Sequence, residues 1–223
     1  MADNGARNSR SAERRDAILS AAREVFIETG FEDARIAEIG RRAGIAEGTV
    51  YLYYKTKTVL MEAVLADFWE GLTQGAGDTT ARHSAPLEQL RALADYHLTG
   101  VIRDLPFLDL AAKLRKAYSI DPQTRDRLRA YVAVFDAVYQ AGISTGAFRD
   151  DLPLWIPRDM FYGTLEYSAR TIALREAERP TGVVDNLIQA FQRTYGPAPT
   201  ESLSEALIER LERAVEKIDP TPG

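Results

Sequence analysis

The chain has 223 residues, 45% of them hydrophobic and 27% charged, with a formal net charge of −5 at pH 7. That length suits one large or two modest domains, and the charge argues against a protein that coats nucleic acid regardless of sequence. No cysteine is present, which removes disulfides and thiolate chemistry, and no apolar run approaches the roughly 20 residues of a membrane span. The N-terminal MADNGARNSR lacks an apolar signal segment, so a cytoplasmic location and no membrane partner are expected.

Residues 1–10 are small and polar and read as a disordered arm. A helix is expected from about Ser11 to Thr29, because Ile18, Ala22, Val25 and Phe26 recur at helical spacing and Gly30 can end it. Ile36, Ile39 and Ala43 form the apolar face of a short second helix, and Gly44 suits its end. A third helix is expected from about Ala46 to Tyr53, with Val50 inward. Two short helices joined by a tight glycine turn make a helix-turn-helix, whose second helix lies in the DNA major groove.

The side chains there suit that task. Gly48 lets the backbone approach DNA. Thr49 offers a hydroxyl to phosphate or a methyl to thymine. Tyr51 and Tyr53 can reach phosphates or base edges, and Lys55 and Lys57 can clamp the backbone. The candidate DNA-binding set is Arg35, Ala46, Glu47, Gly48, Thr49, Tyr51, Leu52, Tyr53, Tyr54, Lys55 and Lys57. A helical hairpin with a solvated face carries the same pattern, so the motif leaves both readings open. The first 58 residues carry ten Lys/Arg against nine Asp/Glu, so DNA contact needs a local basic surface.

A fourth helix is expected over about Thr58–Gln74, and Gly75–Ala85 reads as a loop. Pro86 opens a helix to about Arg103, and Asp104-Leu105-Pro106 starts another reaching Tyr118. Further helices are expected over about Pro122–Thr145, Arg158–Glu178 and Gly182–Tyr195, with the Pro-containing Phe148–Pro157 as a loop. Last, Leu203, Leu207, Ile208, Leu211, Val215 and Ile218 make an amphipathic stripe over Thr200–Ile218. No strand of credible length is seen, so the class is all-α: an N-terminal helix-turn-helix domain plus a C-terminal helical bundle. The expected division is an arm (1–10), the reader (11–57), a connecting helix and loop (58–85), a ligand-binding and dimerisation domain (86–198) and an extra C-terminal helix and tail (199–223).

Gly30-Phe31 and the run IAEIGRRAGIAEGTVYLYYKTKTVL resemble the DNA-binding domain of the TetR family of bacterial repressors, over about Arg14–Leu65. The resemblance implies an all-helical homodimer on a palindromic operator, released by a small apolar effector bound in the larger domain. The fourth helix would carry ligand occupancy to the reader as a pendulum movement. Two departures stand out. The family often has Ser or Thr near Ala34 and at Ala46, so Asp33 is expected to cap the second helix and Glu47 to serve the third through the helix dipole. Tyr54 stands where Phe is usual, adding a hydroxyl that needs a partner.

The stretches LRKAYSIDPQTRDRLRAY, QAGISTGAFRDDL and RDMFYGTLEYSARTIAL are similar to acyl-CoA-responsive repressors of fatty-acid degradation within that family. This implies an apolar tunnel and basic residues for CoA phosphates, with long-chain acyl-CoA as the effector. The candidate ligand residues are Trp69, His97, Arg103, Phe107, Leu110, Leu114, Arg115, Tyr131, Phe135, Phe161 and Leu165. Two reading helices must reach successive major grooves, which calls for a dimer. Met160, Val184, Leu187, Ile188 and Phe191 are the candidate interface, each equally readable as core.

His83 and His97 are the only histidines, and there is no HExxH, GxSxG, Walker or GxGxxG pattern. No catalytic set, metal site or required cofactor is expected. Three readings stay open: an effector-released repressor, a DNA-binding protein without ligand control, and a helical carrier whose reader-like segment is structural.

Overall fold

The computed structural model describes residues 3–118, 123–175 and 180–197, and the isolated positions 210 and 213. Among the described residues the elements are α1 Asp3–Asp33, α2 Ile36–Arg42, α3 Glu47–Tyr53, α4 Lys57–Thr80, α5 Pro86–Tyr118, α6 Thr124–Ser144, α7 Trp155–Leu174 and α8 Val183–Tyr195, with no strand. The fold is all-α. No described helix is long and apolar enough to cross a membrane.

Two apolar cores hold these helices. The N-terminal core gathers Ile18, Val25 and Phe26 of α1 with Ile39, Val50, Leu60 and Val64 of the next three helices. The C-terminal core packs rings of α6, α7 and α8, with Phe135 5.0 Å from Phe161 and 6.0 Å from Phe191. Each such buried side chain is worth about 1.5–3 kcal/mol. Helix α5 enters both: Leu90, Leu93 and Leu98 join the C-terminal core, and Phe107 and Leu114 the N-terminal one.

Several boundaries differ from expectation. Helix α1 starts at Asp3 rather than Ser11, since nothing in the polar segment breaks a helix, and Ser9 donates to Glu13 one turn on at 2.9 Å. It bends at Gly30 (φ 78°) and continues to Asp33, with Phe31 folded back 5.9 Å from Phe26. Helix α4 runs six residues beyond Gln74, through most of the expected loop. Gly75 belongs to a helix crossing: a Cβ there would overlap the Tyr96 ring, whose hydroxyl donates to the Leu72 carbonyl at 3.2 Å.

Helix α5 is continuous through Pro106, where a break was expected. A mid-helix proline costs about 3 kcal/mol. Helix α5 packs against α1, α4, α6, α7 and α8, and that burial outweighs the local preference. Helix α7 starts at Trp155, with Pro157 in its first turn where no intrahelical donor is needed. The stripe expected over Thr200–Ile218 lies outside the described residues, apart from Arg210 and Arg213, which are helical and exposed.

Candidate nucleic-acid interface and effector site

Helices α2 and α3 meet at a tight turn that the sequence dictates. Gly44 takes φ 68°, which side chains rarely adopt, and the Ile45 amide donates to the Gly40 carbonyl at 2.9 Å. A Cβ at Gly40 would lie 3.0 Å from the Ile45 carbonyl oxygen, so the two helices approach closely there. Val50 is fully buried and fixes the roll of α3. Its opposite face turns outward, with Leu52 73% and Tyr51 42% exposed and Ala46, Glu47 and Gly48 open to solvent. Thr49 and Tyr53 are half-buried, and the Tyr53 hydroxyl lies 3.5 Å from Ser11 Oγ.

Charge at this surface is partly spent inside the protein. Lys55 and Arg35 are exposed. Lys57, expected as a backbone clamp, instead donates to the carbonyls of Glu32 (2.6 Å) and Ala34 (3.2 Å) and lies 4.9 Å from the Phe31 ring centre. Its ammonium satisfies carbonyls at the end of α1, where a helix end leaves acceptors free. Arg42 grips Glu28 and Glu38, and Arg41 grips Glu38 at 2.7 Å. Hydrogen bonds from Arg41, then Arg42, hold the Glu38 carboxyl down to about 2.

Tyr54 is 7% exposed, and its buried hydroxyl has no partner, so it belongs to the core and not to the reading face. Asp33 does not cap α2: Arg35 occupies that position, without a side-chain cap. Ala46 likewise leaves α3 uncapped, with Glu47 in its first turn. Sequence reading missed Thr56, whose hydroxyl accepts from the Val59 amide at 3.1 Å and caps α4; its signal was a threonine before an apolar run.

The two cores are bolted together at α1 and α5. Arg23 donates to Asp104 at 2.7 Å, and its guanidinium carbon lies 5.0 Å from the Phe68 ring centre and 4.9 Å from that of Phe107. Asp104, expected as a helix cap, is a buried acceptor that also receives two bonds from Arg103.

The expected ligand residues do not converge on one pocket. Phe107, Leu110 and Leu114 pack with the reader's core because the unbroken α5 carries them past α1 and α4. Phe135, Phe161 and Leu165 fill the C-terminal core. Arg103 is engaged by Asp104, and Arg115 is exposed. Trp69, His97 and Tyr131 do gather, joined by Tyr162: Trp69 lies 6.2 Å from Tyr131, and His97 4.9 Å from Tyr162. The Tyr131 hydroxyl meets His97 Nδ1 at 2.8 Å. His97 Nε2 and the Tyr162 hydroxyl are buried without partners, the former 4.0 Å from a Glu166 oxygen. Burial pushes the imidazole down to about 4 and raises both phenols.

Beside Trp69, between α4 and α6, lies an open cavity of about 640 Å³ lined also by Ala66, Glu70, Arg127, Ala130 and Val134. Apart from Trp69 these residues were missed; the signal was the run of small residues on one side of α6.

The expected dimer residues face inward. Val184, Leu187, Ile188 and Phe191 are at most 7% exposed, because the apolar face of α8 is used against α5 and α7 of its own chain. Met160 is half-buried against the same core. Among the described residues of the C-terminal domain, the most exposed large apolar side chains are on α7, with Leu174 85%, Tyr167 77% and Trp155 55% exposed, while Leu128 of α6 is 45% exposed.

Residues 18–64 match the family described as bacterial regulatory proteins, tetR family, and residues 72–178 match the YsiA-like protein, C-terminal region. The fatty acid metabolism regulator protein of Bacillus subtilis is 24% identical over 179 residues, covering 77% of this chain and 89% of that protein. The HTH-type transcriptional repressor KstR2 of Mycolicibacterium smegmatis is 29% identical over 153 residues, 65% of this chain and 72% of its own. The crystal structure of FadR from Bacillus subtilis in complex with stearoyl-CoA shares the fold, with a TM-score of 0.67 at 20% identity over 78% of this chain and 96% of that one. These relatives are transcriptional regulators and not enzymes. With a helix-turn-helix at its N-terminus and two matches that together cover more than two thirds of its length, the chain belongs to the TetR family of bacterial transcriptional regulators.

Proposed function

We propose that the chain is a dimeric repressor that binds a palindromic operator through α3 and is released by an apolar effector. The observation that carries the reading is the division of α3 into a buried Val50 face and an outward face bearing Gly48, Tyr51 and Leu52. Glu47, Thr49, Tyr53, Lys55 and Arg35 border that face and complete the proposed contact set. Two such helices reach successive major grooves when held roughly 34–36 Å apart. The outward side of α7, with Tyr167 and Leu174, is the surface offered to the second copy.

The effector proposed is a long-chain acyl-CoA, the class bound by the FadR of Bacillus subtilis. Support in this chain is the cavity at Trp69, apolar along α4 and α6, with Arg127 and Glu70 among its lining residues. An effector that binds the DNA-free conformation better shifts the population by its differential affinity. A mobility-shift assay on DNA flanking the chain's own gene, followed by titration with stearoyl-CoA, tests both halves. Retarded DNA that the acyl-CoA releases is the expected result. No retardation sinks the reading altogether, and retardation indifferent to acyl-CoA leaves a regulator without this effector.

A further inference from the structure

Helix α3 is seven residues long, and its sides differ in chemistry. Val50 is fully buried and marks the inner side. Gly48 and Leu52 each lie two residues from Val50, so at about 100° per residue both stand about 160° around the helix from it. They form the outermost ridge of α3. Thr49 and Tyr53, both half-buried, lie on one flank, and the exposed Glu47 and Tyr51 lie on the other.

That ridge is apolar. Gly48 has no side chain, and a Cβ there would meet nothing within 4 Å. Among the described residues of α1 to α4, Leu52 is the most exposed large apolar side chain. A lone surface leucine needs no explanation in itself, but its position on a reading helix does. The major groove is about 12 Å wide and a helix with its side chains about 10–12 Å across, so the outermost ridge is what reaches the base edges. With glycine at 48 nothing on that ridge holds the helix off, and Leu52 stands furthest in. Its isobutyl group neither donates nor accepts. Set against a base N–H or carbonyl, it would strip that group of water and return no hydrogen bond. The C5-methyl of thymine is the one methyl group that the standard base pairs present in this groove.

Taking α3 as the groove helix, on which the repressor reading also rests, we propose that Leu52 sets sequence preference by packing on a thymine C5-methyl, once in each half-site. The exposed Arg35 and Lys55 meet phosphates and fix register without reading sequence. Leu52 carries no charge, so it adds discrimination between bases and nothing to salt dependence. A cytosine or purine at that position leaves the leucine against a polar edge or an unfilled space. The operator therefore keeps a T·A pair there.

The test uses the full chain and DNA flanking its own gene, copied once with thymidine and once with deoxyuridine, which pairs alike but lacks the methyl. In mobility-shift titrations at low salt, where binding is strongest, the native chain should prefer thymine DNA by about fourfold for one methyl and about fifteenfold for two. Leu52→Ala should shrink that ratio by the same factor, and the apolar Leu52→Met should keep it. The salt slope should be equal for all three, because none loses a cation. A native chain indifferent to the replacement, or a ratio that Leu52→Ala leaves intact, overturns the assignment while operator binding itself stands. So does a Leu52→Met ratio as low as that of Leu52→Ala, or a lower salt slope in Leu52→Ala, which would place its loss at the phosphates. No retardation of the thymine fragment is a different failure: it removes the repressor reading, and this inference with it.

Discussion

Arg23 of α1 and Asp104 of α5 meet at 2.7 Å, joining the helix that supports the DNA reader to the longest helix of the second domain. The carboxylate is 6% exposed and the guanidinium 32%, and the latter lies against both Phe68 and Phe107. A charge pair in this setting sets register: either group alone would be a poorly solvated charge between packed helices.

Asp104→Asn keeps the shape and removes the charge. We expect a loss of about 1–3 kcal/mol, discounted because Arg23 is partly solvated. Urea unfolding reads it directly. In a DNA-binding assay the same variant should show weaker coupling between effector and operator. Full coupling with unchanged stability would remove the pair from any role in communication.

The two lysines after α3 should separate by phenotype. Lys55→Ala should lower the salt slope of operator binding by about one unit and leave the unfolding midpoint in place. Lys57→Ala strips the carbonyls of Glu32 and Ala34 of their donor and should cost about 1 kcal/mol of stability instead. Tyr51→Ala should weaken operator binding with the fold intact. The reverse pattern for the lysines would mean that Lys57 leaves its carbonyls when DNA arrives.

His97 gives a pH dependence with a definite sign. Its ordinary value is near 6.5, and burial pushes it down to about 4. Between those values the unfolded chain holds a proton that the folded chain refuses, so stability falls as pH drops from about 6.5 to 4, by up to about 3 kcal/mol. Above 6.5 both states are neutral and the residue contributes no slope. The groups facing the ring are Tyr131, Tyr162 and Glu166, and the carboxylate 4.0 Å from Nε2 is too solvated to cancel the effect. Comparing urea midpoints at pH 7.5 and 5 for the native chain and His97→Asn checks it: the native chain should lose more. Equal losses would falsify the assignment.

Assembly and folding should respond to different helices. Leu174→Arg and Tyr167→Arg, on the outward side of α7, should shift sedimentation toward monomer without lowering stability. Leu187→Ala on α8 should cost about 2–5 kcal/mol through the cavity it leaves. If Leu187→Ala alone disrupts the dimer and the α7 variants do not, the proposed interface is wrong.

Much of this was legible before any coordinates. The apolar spacing of Ile36, Ile39 and Val50 and the glycine at 44 specify the reader, because a short helix has only one way to bury such a face. The span of α8 was legible too, but the partner of its apolar side was not. Val184, Leu187, Ile188 and Phe191 look the same whether they meet their own bundle or a second copy, since periodicity reports that a face is covered and not by what. Phe107 and Leu114 read as ligand-lining residues of the larger domain rather than as part of the reader's core, for another reason. Pro106 reads locally as a break, and only the packing of α5 on five other helices keeps it helical and brings Phe107 to Phe68.

That unbroken α5 has a mechanical consequence. Thirty-three residues at 1.5 Å each make a rod of about 50 Å, anchored by Leu90 and Leu98 at one end and by Phe107 and Leu114 at the other. A strut clamped in both halves cannot let one half melt while the other stands. Denaturant should therefore dismantle reader and bundle in a single cooperative transition, and a push applied to one end of the strut arrives at the other as displacement rather than being lost in a joint.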